Sequence, residues 1–316
     1  MRKTNDLGRD PVFRLVCRLA IPTMLAQLVS VLYSIVDRIY IGNIQGIGDL
    51  ALAGVGVCGP IVTLLSSFAS LVGLGGSPIM AMRMGEGRDR EAGRVLSNSF
   101  LMLLILSGVL TTLFLLLKEH LLMWFGASDA TFGYANTYLT IYTAGTFFAL
   151  MATGMNSFLI AQGFSGLGMA TVMLGAVLNI VLDPIFIFGL DLGISGAAIA
   201  TLLSQCVSAS ILASFFLRGQ SEIRVSIRCV STAPKIYLTI FKSGMPSFFR
   251  QGMASVSAMA LNFNAGVYGD AAVAAMAIVT KVFNFLLSAV IGFGQGMQPV
   301  VGYNYGAKEL GRVRQA

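Results

Sequence analysis

The stretch "LAIPTMLAQLVSVLYSIVDRIYIG", residues 19–42, is long enough and apolar enough to cross a lipid bilayer as one helix. Between residues 15 and 36 the only charged side chain is Arg18, and Asp37 and Arg38 then follow inside the same apolar pattern. A bilayer core of about 30 Å takes about 20 residues of helix. The stretch therefore predicts a membrane-spanning helix that contains a carboxylate, and the purpose of that carboxylate needs an explanation.

The composition of the whole chain is typical of a membrane protein. Its 316 residues are 56% hydrophobic and only 11% charged, whereas soluble domains carry about 25% charged residues. Only helices and closed barrels cross a membrane, because backbone groups in lipid must satisfy their own hydrogen bonds. The apolar runs are continuous rather than alternating, so we predict an all-α integral membrane protein.

Eight apolar segments have the length of a membrane span. Their approximate bounds are 13–41, 52–82, 95–117, 134–158, 168–189, 196–217, 244–267 and 272–304. Several exceed the required length, so we expect tilted or kinked helices. The first segment follows basic residues, but it is too long for a signal peptide and has no small-residue cleavage site, so we expect it to be retained.

Positive charge is distributed unequally between the connecting segments. Five, four, five and three Lys or Arg residues lie in segments 1–18, 83–94, 218–242 and 305–316, respectively. The loops on the opposite side, 42–51, 118–133, 190–195 and 268–271, hold only Lys118. The positive-inside rule predicts a multi-pass protein of the cytoplasmic membrane with a cytoplasmic N-terminus. The net charge of +7 suits anionic lipid headgroups, and no motif indicates a nucleic-acid partner.

Several kinds of enzymatic or cofactor site are disfavoured. The four cysteines, at positions 17, 58, 206 and 229, form no CxxC motif, and His120 is the only histidine. Residues 54–59 fit GxGxxG, but they lie inside a predicted span without a preceding strand, which excludes a dinucleotide fold. No Walker motif is present. We therefore expect no enzymatic activity and no cofactor beyond a coupling ion.

The chain repeats itself at an offset of 221 residues. The matching residues are Gly73, Gly75, Pro78 and Gly85 with Gly294, Gly296, Pro299 and Gly306, and Gly48-Asp49 with Gly269-Asp270. With a three-residue gap, "AIPTM" at 20–24 also meets "GMPSF" at 244–248. Six spans separate the copies, so the copies run in the same direction about an axis along the membrane normal. Secondary transporters use such parallel repeats.

With these motifs the chain resembles the multidrug and toxic compound extrusion (MATE) family, on its bacterial DinF-like or MepA-like side. The resemblance lies in residues 19–42, in "NIVLDPIFIFGLDLGISGAAIAT" at 179–201, in "LNFNAGVYGDAAVAAMAI" at 261–278 and in "GFGQGMQPVVGYNYGA" at 292–307. The family has twelve spans in two six-helix lobes. The resemblance thus implies an N-terminal lobe at 1–217, a cytoplasmic linker at 218–243 and the first two helices of a second lobe at 244–316. Either the chain is a fragment, or a second chain supplies four further helices.

The residues themselves suggest a site for a cation. Asp37 and Asp183 lie inside predicted spans, where an insertion cost of about 2.5–3.5 kcal/mol means that charges usually face a cavity or a partner. Asn179 is four residues before Asp183, so both lie on one helix face, and Pro184 removes a backbone donor there. Thr201 lies four residues after Ala197, near its carbonyl. If these spans meet, their oxygens suit a hard cation, or the two carboxylates share a proton.

The resemblance implies roles for the same residues. It places a cation or proton site, with Na⁺ as one candidate, on Asp37, Asn179, Asp183, Thr201 and the Ala197 carbonyl. It associates helix bending with Pro22, and Pro184 is the second proline expected to loosen a helix. It assigns cavity positions, less specifically, to Tyr33, Tyr138 and Asn156. The structural alternatives are that Asp37 snorkels beside Arg38, that Asp183 caps a helix break, and that the other polar residues serve in packing or interhelical hydrogen bonds.

The second lobe offers fewer polar residues. Some relatives carry a glutamate in the seventh span, but here Arg250 and Gln251 occupy that region, so we predict no second acidic site. Lys281 is a candidate for a charge facing the central cavity. The combined interpretation is a proton- or sodium-coupled antiporter that exports cationic amphipathic drugs. The alternatives are a flippase for lipid-linked precursors, for which only Arg250 and Lys281 supply basic groups, and a non-transporting membrane subunit.

Overall fold

The computed structural model describes residues 5–218, 221–231, 233–266 and 270–316, and in these ranges it is helical without any strand. The helices are α1 (Val12–Gly42), α2 (Gly48–Gly85), α3 (Asp89–Trp124), α4 (Asp129–Ala144), α5 (Thr146–Ala161), α6 (Ser165–Pro184), α7 (Gly193–Leu217), α8 (Pro234–Gly266), α9 (Asp270–Gly306) and α10 (Leu310–Gln315). A π-helical turn, Ile185–Gly189, extends α6, and a short 3₁₀ turn covers Ile227–Cys229. The predicted all-α membrane fold is confirmed.

Each predicted span coincides with a helix or a helix pair. Among the described residues, α1, α2, α3, α7, α6 with its π turn, and the 282–306 part of α9 are long and apolar enough to cross a membrane. The bent pair α4 and α5 would be a seventh span, whereas α8 does not meet the same test. The prediction of eight spans is therefore matched in helix positions, but the eighth span is not established.

The predicted span 134–158 is not one helix, because α4 and α5 meet at 57° at Gly145. A Cβ at Gly145 would overlap the side chain of Leu202, which α7 inserts into the bend. The absence of a side chain at Gly145 thus leaves room for Leu202 in the bend, and a larger residue there would have to displace the leucine methyl group. Another difference is that α8 begins at Pro234, ten residues before the predicted boundary. Proline suits the first turn of a helix, because the backbone N–H that proline lacks would have no intrahelical acceptor there.

Helices of one repeat contact helices of the other repeat through residues at equivalent positions. A Cβ at Gly296 of α9 would overlap the backbone of Ala20 in α1, and a Cβ at Gly75 of α2 would lie 2.9 Å from the Cα of Gly244 in α8. Gly75 and Gly296 occupy equivalent positions in the repeat, as do Ala20 and Gly244. Each repeat therefore uses a small residue of its second helix to contact the first helix of the other repeat, as a pseudo-two-fold axis requires.

The axis passes near the C-terminal ends of α2 and α9. There Gly85 contacts the carbonyl of Tyr303, and Gly306 contacts the carbonyl of Met82. These two contacts are equivalent in the repeat, because Gly85 and Gly306, and likewise Met82 and Tyr303, are 221 residues apart. Because the same ends of two equivalent helices meet, the repeats run in parallel, as predicted.

The described parts of the segments rich in Lys and Arg lie together at one end of the bundle, which we name the basic end. The N-terminal segment, residues 5–10, crosses this end. Asn5 Nδ2 donates to the carbonyl of Gly163 at 2.9 Å, and Asn304 Nδ2 donates to the carbonyl of Leu7 at 2.9 Å. Arg312 donates to the carbonyl of Asp10 at 2.6 Å. The segment therefore connects the α5–α6 turn of the first repeat to α9 and α10 of the second.

Two neighbouring glycines of α9 provide a test of the repeat contacts. We expect Gly296→Ala to destabilise the protein by about 1–3 kcal/mol, because its methyl group must displace the backbone of α1. Gly294→Ala is the matched control, since a Cβ there meets no atom within 4 Å and alanine is the better helix former. Thermal unfolding of both variants in detergent measures the difference. Equal unfolding midpoints would contradict the close contact between α1 and α9.

Candidate functional site

The two carboxyl groups inside the predicted spans meet in the interior of the first repeat. Asp37 lies near the end of α1 and is 8% exposed, and Asp183 lies near the end of α6 and is fully buried. Their side chains are within hydrogen-bonding reach of each other. Asp37 is thus not exposed at the interface, and the guanidinium of Arg38 lies toward Gly59 of α2. The snorkelling alternative for Asp37 is disfavoured.

Asn179 connects the carboxyl pair to α7. Its amide nitrogen lies 3.1 Å from Asp183 Oδ1 and 3.4 Å from Thr201 Oγ1. Asn179 and Asp183 are one helical turn apart on α6, as the sequence predicted. Both are buried, and Thr201 is 9% exposed. The structure therefore brings Asp37, Asn179, Asp183 and Thr201 into one cluster made by α1, α6 and α7, which we name the carboxylate cluster.

The carboxylate cluster has more hydrogen-bond acceptors than donors. Asp37 Oδ1, Asn179 Oδ1 and Asp183 Oδ2 are inaccessible to solvent, and none of them receives a hydrogen bond from the described residues. Buried polar atoms in proteins nearly always have a partner. Two carboxyl groups in contact also repel one another unless a positive charge or a proton lies between them. The cluster therefore fits a proton or a hard cation such as Na⁺, which prefers oxygen ligands.

The chemistry of the cluster is not that of a transition-metal site. No group of three or more His, Cys, Asp or Glu side chains suited to a metal occurs in the described ranges. The available ligands are two carboxylates, one amide oxygen and one hydroxyl. Ala197 is fully buried one turn before Thr201. Among the described hydrogen bonds, none joins the Thr201 hydroxyl to the Ala197 carbonyl, so a ligand role for that carbonyl stays a prediction.

The break after Asp183 allows α7 to approach α6. Helix α6 ends at Pro184 and continues as a π-helical turn, in which the Leu190 amide donates to the Ile185 carbonyl at 2.9 Å. Gly196 of α7 contacts the backbone of this turn, because a Cβ there would lie 2.7 Å from the Phe186 carbonyl carbon. Single π turns are frequent at functional sites. The predicted loosening at Pro184 therefore takes the form of a π turn against which α7 packs.

A polar cavity of about 260 Å³ opens beside the carboxylate cluster. Of the predicted cavity positions, Tyr33 and Asn156 line it and Tyr138 does not, and Asn179 and Thr201 of the carboxylate cluster also lie in its wall. Tyr138 is buried and stacks on Tyr142, with ring centroids 6.3 Å apart. The residues that line the cavity in the described structure include no charged side chain. Asn179 and Thr201 belong both to the cavity wall and to the carboxylate cluster, so a bound molecule lies next to the cluster that holds Asp37 and Asp183.

Three glutamines that the sequence pattern did not indicate, Gln27, Gln205 and Gln295, also line the cavity. Gln27 Nε2 lies 3.0 Å from Gln295 Oε1 and so joins α1 to α9. Its repeat equivalent, Gln251, donates to Ser70 of α2 at 2.6 Å. The repeat alignment could have indicated the importance of Gln27, because Gln251 stands 224 residues after it. This is the same offset that relates "AIPTM" to "GMPSF".

The remaining predicted residues lie outside the carboxylate cluster. Helix α1 is continuous across Pro22, and the hydroxyl of the next residue, Thr23, donates to the Gly292 carbonyl at 2.6 Å. Bending at Pro22 thus stays a prediction. The side chain of Arg250 is exposed. The side chain of Lys281 lies outside the described residues, although its position falls within α9.

Comparison with known proteins agrees with this architecture. The MatE family model matches residues 22–185 and 246–316. "Multidrug export protein MepA" of Staphylococcus saprophyticus is 28% identical over 298 residues, which cover 94% of this chain and 65% of that protein. "Multidrug export protein MepA" of Staphylococcus haemolyticus is 26% identical and is also covered to 65%. The chain thus spans slightly less than two thirds of the length of these relatives.

Solved structures show the same fold. One is described as the outward-facing conformation of a multidrug resistance MATE family transporter of the MOP superfamily. It superposes with a TM-score of 0.90 at 28% identity over 98% of this chain and 68% of that chain. A MOP superfamily transporter from Pyrococcus furiosus, with the same scores and coverage, is described as having a binding pocket of reverse polarity that suggests a different function.

A double-mutant cycle tests the hydrogen bond between Asn179 and Asp183. We expect Asn179→Ala to lower stability by about 1–3 kcal/mol, because Asp183 Oδ1 loses a buried donor. Its effect should be smaller in an Asp183→Asn background, with a coupling energy of about 0.5–3 kcal/mol. Thermal unfolding of the four proteins measures the coupling. Asn264→Ala is the control, since that side chain is exposed on α8. Additive effects at positions 179 and 183 would contradict the contact.

Proposed function

The chain belongs to the MatE family, and from that premise we propose that it acts in cation-coupled export of cationic, amphipathic compounds across the cytoplasmic membrane. The observation that carries the proposal is the carboxylate cluster, whose three buried acceptor oxygens lack donors among the described residues. The names of the staphylococcal relatives support multidrug export as the activity. The coupling ion is H⁺ or Na⁺, since both satisfy the same oxygens.

Exchange follows from the position of the cluster next to the cavity. A cationic compound in the polar cavity and a cation in the cluster are attracted by the same two carboxylates. In a medium of low dielectric constant the two positive charges also repel each other strongly. Binding of the ion therefore weakens binding of the compound, and the reverse holds by linkage. This competition is the physical requirement of an antiporter.

The residues of the cluster have separate roles in this proposal. Asp37 and Asp183 bind the ion, and Asn179 holds Asp183 and Thr201 in place through its amide nitrogen. The carbonyl of Ala197 is the further ligand that the resemblance implies. Because Asp37 lies on α1 whereas Asp183 lies on α6, the ion holds these two helices together.

Helix α1 provides the connection from the ion to the rest of the protein. Thr23 and Gln27 on α1 bind α9 of the second repeat, and Asp37 lies about 21 Å further along the same helix from Thr23. An ion that changes the position or bend of α1, with Pro22 as the proposed hinge, therefore acts on the interface between the repeats. Coupling requires that the ion binds the two states with different affinity.

The polarity of the cavity favours this function over a flippase for anionic lipid-linked precursors. An anionic headgroup needs basic side chains, and the cavity lining in the described residues includes none. The Pyrococcus transporter with a pocket of reverse polarity is the relevant contrast. We also propose that the basic end faces the cytoplasm, because of the excess of Lys and Arg in its loops.

Cation binding can be tested on the purified chain. We expect Na⁺ at constant ionic strength, or a lower pH, to raise the unfolding midpoint, because a ligand of the folded state stabilises it. Asp37→Asn and Asp183→Asn should each abolish the response, since an amide neither titrates nor binds a cation strongly. Asp49→Asn is the control, because Asp49 is exposed at the start of α2. A wild-type midpoint indifferent to both cations, or an unchanged response in both cluster variants, would overturn the ion site.

Export is tested separately in membrane vesicles that hold a cationic dye. We expect an imposed proton or sodium gradient to drive dye movement by the wild-type protein and by Asp49→Asn, but not by Asp37→Asn or Asp183→Asn, at equal protein levels. Dye movement by both cluster variants would show that these aspartates are structural. Cation binding without any wild-type dye movement would contradict export by this chain alone.

A further inference from the structure

A second cavity, separate from the carboxylate cluster, lies between α3, α5 and α7. It has a volume of about 620 Å³, and its walls are almost wholly apolar. The main wall residues are Phe100, Phe148, Met151, Met155, Leu212 and Phe216. Flexible methionine and phenylalanine side chains adapt to an irregular apolar guest. We name this cavity the apolar pocket.

The mouth of the apolar pocket carries one positive charge. Val225, Ser226 and Arg228 of the segment after α7 form its margin, and Arg228 is the only charged residue among the described lining residues. The Arg228 side chain is exposed, and no ion pair to it is found in the described ranges. Its guanidinium is thus available to an anion at the basic end of the bundle.

The segment that carries Arg228 is fixed on both sides. The Ser226 amide donates to Ser97 Oγ at 3.0 Å, and the Ser231 amide donates to Asn98 Oδ1 at 3.0 Å. Tyr237 donates to the same Asn98 oxygen at 2.7 Å. The arginine therefore stands at a defined place against α3, rather than on a freely moving linker.

The apolar pocket is elongated along α5, in the direction that a lipid acyl chain takes across its leaflet. Its α5 wall runs from Phe147 to Met155, a distance of about 12 Å along the helix. Phe147 follows the α4–α5 bend, and Met155 lies toward the basic end of α5. Leu217, at the margin, is 76% exposed, so the pocket adjoins the lipid-facing surface. A chain that enters from the bilayer would extend from the basic end toward the middle of the membrane.

We propose that the apolar pocket binds one acyl chain of an anionic phospholipid of the leaflet at the basic end, with Arg228 on its phosphate. Basic residues above apolar pockets between membrane helices suit anionic headgroups. A guanidinium matches the geometry of a phosphate through paired hydrogen bonds. A cationic amphiphile would meet a like charge at the same mouth, so the site takes a lipid rather than a compound of the exported class.

The apolar pocket and the polar cavity beside the carboxylate cluster share two helices, α5 and α7. Helices α5 and α7 form walls of the apolar pocket on one face and of the polar cavity on another, where they carry Asn156 and Thr201. A lipid chain in the pocket therefore lies against the same two helices that shape the cavity.

The single tryptophan of the chain allows a direct test. Trp124 is replaced by Phe, and Phe148→Trp then places the only indole in the wall of the apolar pocket. The protein is placed in phosphatidylcholine vesicles that contain a few per cent of one brominated lipid, either phosphatidylglycerol or phosphatidylcholine. The brominated acyl chains quench indole fluorescence on contact. We expect the brominated phosphatidylglycerol to quench several-fold more at equal mole fraction. Equal quenching by the two lipids would overturn the proposal.

Two pairs of variants locate the effect. Arg228→Gln should remove the preference for phosphatidylglycerol, whereas Arg90→Gln, an equal loss of charge at the exposed start of α3, should keep it. Ala213→Phe, which fills the pocket from an exposed wall position, should reduce quenching by both lipids, and Ala53→Phe on α2 should not. An equal loss in both arginine variants would show a general charge effect and contradict the site. Displacement of the brominated phosphatidylglycerol by a cationic dye would assign the pocket to drugs instead.

Discussion

The contact between two carboxyl groups inside the bundle is the interaction on which the rest of the site depends. Both side chains are buried and so poorly solvated, and Asp37 and Asp183 can stay together only when a positive charge or a proton joins them. The π turn after Pro184, the close approach of Gly196 and the amide of Asn179 all serve to bring α7 to this pair. The same contact links α1 to α6, so the occupancy of the cluster bears on the position of α1.

The second constraint is the close approach of backbones between the repeats. Inside lipid, helices gain little from apolar burial against each other, and small residues allow the backbone contacts that replace it. The glycines at 75, 244, 292 and 296 supply these contacts on both sides of the pseudo-two-fold axis. Because each first helix packs on the second helix of the other repeat, the interface between the repeats involves the helix that also carries Asp37.

The sequence predicted those parts of the fold that follow from pattern. Apolar length located the helices, the offset of 221 residues revealed the parallel repeat, and spacing along one helix placed Asn179 beside Asp183. The bend at Gly145 was missed, because it depends on Leu202, a residue far away in the chain. The π turn was anticipated only as a loosening at Pro184, since its shape is fixed by the approach of α7. Gln295 was missed because its partner, Gln27, is on another helix.

The N-terminal segment has a consequence for how the two repeats can move. Its hydrogen bonds to Gly163 on one side, and to Asn304 and Arg312 on the other, fasten both repeats across the basic end. Any motion that separates the repeats there must release these bonds first, so the motion has a threshold rather than a smooth course. A few residues that precede the first helix thus resist separation of the repeats at the basic end, although they line neither the carboxylate cluster nor the cavity beside it.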